Sequence, residues 1–186
     1  MPYSSVLSPD SDLRGTYRCL PPRYQIQGTY DPPSEYALVG SRVCLGGIFH
    51  QALCIIHSKF PKSAVQDPQH IYSWLSCLDS AMTLLSFQDF QAQNCVVNGQ
   101  RTPLNRYQRS LSIHNFFLAA TILFAGLFLI RDKSKVRFPL CASLKLSKAD
   151  MLVALEKSIA TFERDDAESH ESSRASKLLS AMLHEI

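Results

Sequence analysis

The chain has 186 residues, 46% of them apolar and 19% charged, with 19 Lys and Arg against 16 Asp and Glu. That length fits one ordinary domain, and the apolar share excludes a chain disordered throughout. A net charge of +3 names no polyanionic partner; only Arg131, Lys133, Lys135 and Arg137 cluster densely, and they read first as a solvated loop.

Residues 1 to about 34 carry Ser, Pro, Tyr and Asp without a sustained period, and read as extended or partly disordered chain wrapping a core formed later. From Glu35 to Phe60 the pattern becomes helical. Leu38, Leu45, Ile48, Phe49, Ala52, Ile55 and Ile56 fall within an arc of roughly 120°, which predicts one amphipathic helix buried on that stripe. Pro61 ends it, and Asp67-Pro68 is a cap and first-turn pair for a helix from about residue 68 to 92. Its buried stripe is Leu75, Leu78, Met82 and Leu85. Asn98-Gly99 then turns the chain.

The run SIHNFFLAATILFAGLFLI, from Ser112 to Ile130, is the most apolar of all. From Phe116 to Ile130 it rises about 22 Å as a helix, short of the roughly 30 Å hydrocarbon core of a bilayer. Basic residues flank it on both sides, giving no orientation. A buried central helix is therefore preferred to a membrane anchor. Ser147 and Asp150 form a capping box ahead of a helix marked by Leu152, Leu155, Ile159 and Phe162. Glu163 to Ser173 reads as an exposed linker, and Ala175, Leu178, Leu179, Met182 and Leu183 as a last short helix. No strand pattern and no internal repeat emerge. The expected fold is an all-α bundle of about five to six helices after a looped N-terminal segment of residues 1–34, with residues 35–186 as the helical domain.

Chemistry is sparse. The six cysteines, at 19, 44, 54, 77, 95 and 141, include no C-x2-C pair, so spacing gives no local zinc site. The opening MPYSSVLSPDSDLRG lacks the charged start and apolar stretch of a secretory signal, implying a reducing compartment and thiols used as small buried groups. His50, Cys54 and His57 share a face opposite the apolar stripe, but i and i+7 lie about 10 Å apart along a helix, too far for one tetrahedral ion. The bland reading, a second face against neighbours or solvent, is preferred. Asp79 has no partner for general-base work, and Trp74 is core by default. No nucleophile elbow, P-loop or dinucleotide-binding motif is present. No catalytic, metal or cofactor residue is assigned.

Three segments taken in order carry a resemblance. Arg42, Leu45, Phe49, His50, Ala52, Leu53 and His57 form the first. Ser73, Cys77, Leu78, Asp79, Ala81, Leu84 and Leu85 form the second, and His114, Asn115, Phe116, Leu118, Ala119, Ala120 and Leu123 the third. Together with Leu155-Glu156-Lys157-Ser158 and the final helix, they resemble the later part of the fungal-specific regulatory domain of zinc-binuclear-cluster transcription factors, over about residues 20 to 185. Ser58 and Trp74 stand where that pattern has arginines, and the family's six-cysteine DNA-binding cluster has no counterpart in this sequence. The resemblance implies a nuclear regulatory module without direct sequence-specific DNA binding. It would act through proteins of the transcription machinery or a related full-length factor, or through a small molecule held between helices, and not as an enzyme. Two rival readings are a protein anchored in a membrane by residues 116–130 and a small helical enzyme using His50, Cys54 or His114.

Overall fold

The structure, a computed structural model, describes residues 3–25, 36–64, 66–94, 96–97, 100–101, 106–131, 146–165 and 169–185. Among these it places seven α-helices: α1 (Ser4–Arg18), α2 (Tyr36–His57), the single turn α3 (Pro61–Ala64), α4 (Ile71–Asn94), α5 (Arg106–Arg131), α6 (Lys148–Arg164) and α7 (His170–Leu183). Short 3-10 turns lie at Pro22–Tyr24 and Pro68–His70. The β structure among the described residues is one two-residue antiparallel pair, β1 (Val96–Val97) with β2 (Gln100–Arg101). It brackets Asn98-Gly99, which lies outside the described residues. The bundle is all-α.

The long apolar helices α4 and α5 pair at the centre; α2 packs on both, α6 and α7 cover the other side, and α1 lies against α2. Trp74, Leu78, Ala81, Leu84 and Leu85 of α4 meet Phe116, Ala119, Ala120, Leu123, Phe124 and Leu127 of α5, with Met151, Leu155, Ile159 and Phe162 of α6 closing the core. Gly126 allows this approach. A Cβ there would stand 2.9 Å from Leu78 Cδ2 and 3.0 Å from Met151 Cε, so its hydrogen lets α5 seat against α4 and α6. Leu111–Arg131 is long and apolar enough to cross a membrane, and half of it is buried inside the bundle. The other face is open, with Phe128 57% exposed.

Two caps are as the sequence indicates. Asp67 Oδ1 accepts from Gln69 N (3.0 Å) at the turn leading into α4, and Ser147 Oγ accepts from Asp150 N (3.1 Å) while Ser147 N donates to Asp150 Oδ2 (2.9 Å).

Three expectations are corrected. Residues 4–18, read as loop, are a helix; its seam is partly polar, so tertiary hydrogen bonds hold what the apolar period did not announce. The buried stripe of α2 is rotated. Ile48 and Ile55 are 47% and 57% exposed, while Val43, Phe49, Leu53, Cys54 and His57 are buried. α2 is apolar nearly all round, so close packing chose the face: Gly46 lets Phe87 of α4 approach, and Gly47 lets Asn115 of α5 approach. The linker read at residues 163–173 is shorter. α6 continues to Arg164, and α7 starts at His170 with Ser169 capping Ser172 N and Ser172 itself buried. Of the basic cluster only Arg131 is described; its guanidinium lies 5.1 Å from the Phe128 ring centroid and donates to Glu185 O (2.7 Å).

Candidate functional site

The densest chemistry lies where α1 meets α2 and α4. Asp10 of α1, 4% exposed, accepts at Oδ1 from Arg14 Nε (2.9 Å) and His57 Nε2 (3.1 Å). Its Oδ2 accepts from Tyr72 OH (2.6 Å). His57 Nδ1 is 2.9 Å from Ser73 Oγ, which is 2.9 Å from Tyr3 OH, and Arg14 Nη2 donates to Ser76 Oγ. An ionised carboxylate only accepts, so His57 carries its proton on Nε2. Ser73 then donates to Nδ1 and accepts from Tyr3, so both ring nitrogens of His57 have partners. Burial opposes ionisation of Asp10, yet the hydrogen bonds from Tyr72, His57 and Arg14 outweigh it and hold the carboxyl below its usual value. Burial and the neighbouring carboxylate push the Tyr72 hydroxyl up.

Ser73, His57 and Asp10 repeat the residue types of a hydrolase triad. Ser73 and His57 are nonetheless 0% exposed, and the serine hydroxyl is spent on Tyr3, so a substrate carbonyl has no approach. The network docks a helix.

His50, Cys54 and His57 part company. His57 goes to Asp10 and Ser73. Cys54 and Cys77 are both fully buried, and each thiol donates to the other's carbonyl oxygen at 3.8 Å; the Cys77 contact and then burial push the Cys54 thiol up, away from the reactive thiolate. His50 sits among Tyr17, Phe49 and Phe87. Burial, reinforced by Arg14, lowers it to about 4, and its Nδ1 has no hydrogen-bond partner. His114 is exposed and far along α5's other face, lining a cleft of about 300 Å³ with Ile113, Phe117, Glu171, Arg174 and Leu178. Cys19 is exposed and Cys44 half-buried; Cys95 and Cys141 lie outside the described residues. Asp79 is exposed, and Trp74 is 2% exposed in the core.

Sequence reasoning missed Asp10, Arg14, Tyr72 and Ser73 as one unit. A signal existed: Tyr3, Val6, Asp10, Leu13 and Tyr17 follow a 3-4-3-4 spacing, a helical seam in which the central residue is a carboxylate instead of an apolar side chain.

An all-helical bundle with a sealed polar latch and no exposed catalytic constellation among the described residues is the class of protein that fold and site define. The chain is 34% identical over 124 residues, 65% of its length, to the Zn(2)-C6 fungal-type transcription factor mpsB of Macrophomina phaseolina (strain MS6). It is 30% identical over 127 residues, 67% of its length, to the Zn(2)-C6 fungal-type transcription factor pigI of Monascus ruber. It spans 16% of the length of each of these curated relatives. No family model matches the chain, and no solved structure matches it.

Proposed function

We propose that the chain is a regulatory or interaction module of the Zn(2)-C6 fungal transcription-factor type, working in the nucleus by protein contact and conformational change, with no bond made or broken. The observation that carries this reading is the similarity to two such factors over about two thirds of the chain. The packing supports it. Within the three segments of the family resemblance, Phe49, Leu53 and His57 of α2, Ser73, Cys77, Leu78, Ala81, Leu84 and Leu85 of α4, and Asn115, Phe116, Ala119, Ala120 and Leu123 of α5 are buried, Arg42, Leu45, His50, Ala52 and Leu118 are half-buried, and Asp79 and His114 are exposed. Trp74, at a position where the family pattern has arginine, fills the space beside Gly126 (3.3 Å from its Cβ direction), an apolar substitute that needs no buried ion pair. Residues 35–186 with α1 docked on them form the module in this reading, and its partners are proteins of the transcription machinery or a related full-length factor.

The test is to tether the full chain to a heterologous DNA-binding module upstream of a reporter gene in a fungal host. Reporter output should depart from that of the bare DNA-binding module, and Leu123→Asp, which buries an unpaired carboxylate, should abolish the departure. Output equal to the bare module, with the folded chain present in the nucleus, overturns the reading.

A further inference from the structure

One side of the bundle gathers polar side chains that the fold does not use. On α7, Glu171, Arg174, Ala175 and Leu178 fall at i, i+3, i+4 and i+7 and so share one stripe. Ile113, His114 and Phe117 of α5 face that stripe across the cleft of about 300 Å³. Such a volume is at the small end of the range for ligand clefts, roughly 300–1,000 Å³. Ala175, 5% exposed, lines it with a single methyl group where a longer side chain would fill the space.

The walls are apolar and the rim is charged. Ile113 and Phe117 are half-buried and pack against the core, while Leu178 is 52% exposed. Glu171, Arg174 and His114 are exposed, and among the described residues none of these three side chains has a hydrogen bond or an ion pair. Other charges of the bundle are engaged: Arg14 meets Asp10, Lys157 meets Asp89, and Arg131 donates to the carbonyl of Glu185. A Glu three residues before an Arg on one helix face is placed to pair with it, yet here both charges line the cleft without doing so. Glu171 stands in the first turn of α7, where a carboxylate complements the helix dipole and keeps its oxygens available to accept.

This set of groups selects a ligand by its chemistry. A guanidinium takes a carboxylate in a two-pronged grip, a carboxylate takes an ammonium group, and the apolar wall takes a hydrocarbon body. A plain carboxylic acid meets Arg174 but is repelled by Glu171, and a plain amine has the converse problem. A molecule with both charges on one carbon and a large apolar substituent satisfies all three. We propose that the cleft between α5 and α7 binds a free α-amino acid with an aromatic side chain. Its carboxylate sits on Arg174, its ammonium group on Glu171 and its ring against Ile113, Phe117 and Leu178, with His114 at the rim. The site goes beyond the transcriptional reading and stands on the cleft alone.

The experiment titrates the full chain with phenylalanine, phenylpropionate, phenylethylamine and glycine, following the ring signals of His114 and Phe117 by NMR and the melting temperature in parallel. Phenylalanine should saturate at one molecule per chain, move both ring signals and raise the melting temperature as mass action requires. Phenylpropionate, phenylethylamine and glycine each lack one of the three groups and should bind tenfold or more weakly, a loss in keeping with one charge-assisted hydrogen bond or one buried ring. Arg174→Gln should weaken phenylalanine tenfold or more while leaving phenylethylamine no weaker. Glu171→Gln should weaken phenylalanine similarly while leaving phenylpropionate no weaker. Both side chains are exposed, so both variants should melt with the wild type when no ligand is present. Binding that never saturates, signals that move only away from α5 and α7, or affinities indifferent to both substitutions overturn the proposal.

Discussion

Gly126→Val should be among the costliest single changes in α5, although it adds only three carbons to a helix already apolar. The first of them, Cβ, would stand 2.9 Å from Leu78 Cδ2, 3.0 Å from Met151 Cε and 3.3 Å from Trp74 Cη2. The two methyl groups are ends of flexible side chains and can yield; the indole is 2% exposed and held. For Gly126→Ala, the helix gains about 1 kcal/mol of propensity, while overpacking costs about 1–3 kcal/mol. The net loss is about 0–2 kcal/mol, or a few degrees in melting temperature for a domain of this size. Val adds two stiff γ-methyls with no room to rotate clear, raising the loss to about 3 kcal/mol or more. Gly15→Ala is the control. Nothing lies within 4 Å of the Cβ it would add, so α1 should gain about 0.5–1 kcal/mol. Thermal melts followed by far-UV circular dichroism and by Trp74 fluorescence measure all three. A Gly126→Val protein that melts with the wild type would refute the close seating of α5 on α4 and α6.

Leu123, 0% exposed, should lose about 2–5 kcal/mol as Leu123→Ala, and should couple non-additively with Leu78→Ala in a double-mutant cycle if the two side chains share one packed site. Asp10 is held below its usual pKa in the folded protein, so its contribution is present above the unfolded value near 3.9 and lost as pH falls through the lower folded value; Asp10→Asn should flatten that acid limb in a pH series of melts. His50, lowered to about 4 against about 6.5 unfolded, makes stability fall as pH drops from about 6.5 toward 4, and His50→Phe should remove that dependence. The purified chain should leave no site-specific footprint on DNA, and its retention on DNA should vanish with modest salt, since its one basic cluster neutralises at most about four phosphates.

Some of this was legible in the amino acids and some was not, for physical reasons that differ by element. α6 was plain: Ser147 and Asp150 announce the start, and polar residues separate its apolar positions cleanly enough to expose one face. α5 was plain as a helix, yet its open face around Phe128 was not, because an all-apolar run has no period to read. α2 misled for the same reason; with apolar side chains on nearly every side, two glycines and the neighbours they admit decided the buried face, and those neighbours lie about 40 and 70 residues away in sequence. α1 was hard to read because the seam of Tyr3, Val6, Asp10, Leu13 and Tyr17 has a charged residue as its central anchor. Asp10 in isolation reads as a solvent residue, and only His57 and Tyr72, distant in sequence, turn it into a buried one. Leu53 and His57 belong to the motif residues of the family resemblance and lie off the apolar stripe that periodicity picks out, and both are buried.

The buried half of α5's apolar run packs into the protein's own core. Trp74 reports on it directly: it is the chain's single tryptophan, it packs beside Gly126 of α5, and it is 2% exposed. In detergent-free buffer, its emission should be that of a buried indole, and on heating it should shift to that of an exposed one in the same cooperative transition that the helical circular-dichroism signal records. A chain that stays in solution only with detergent, or one whose helices persist while Trp74 already emits as an exposed indole, would contradict it.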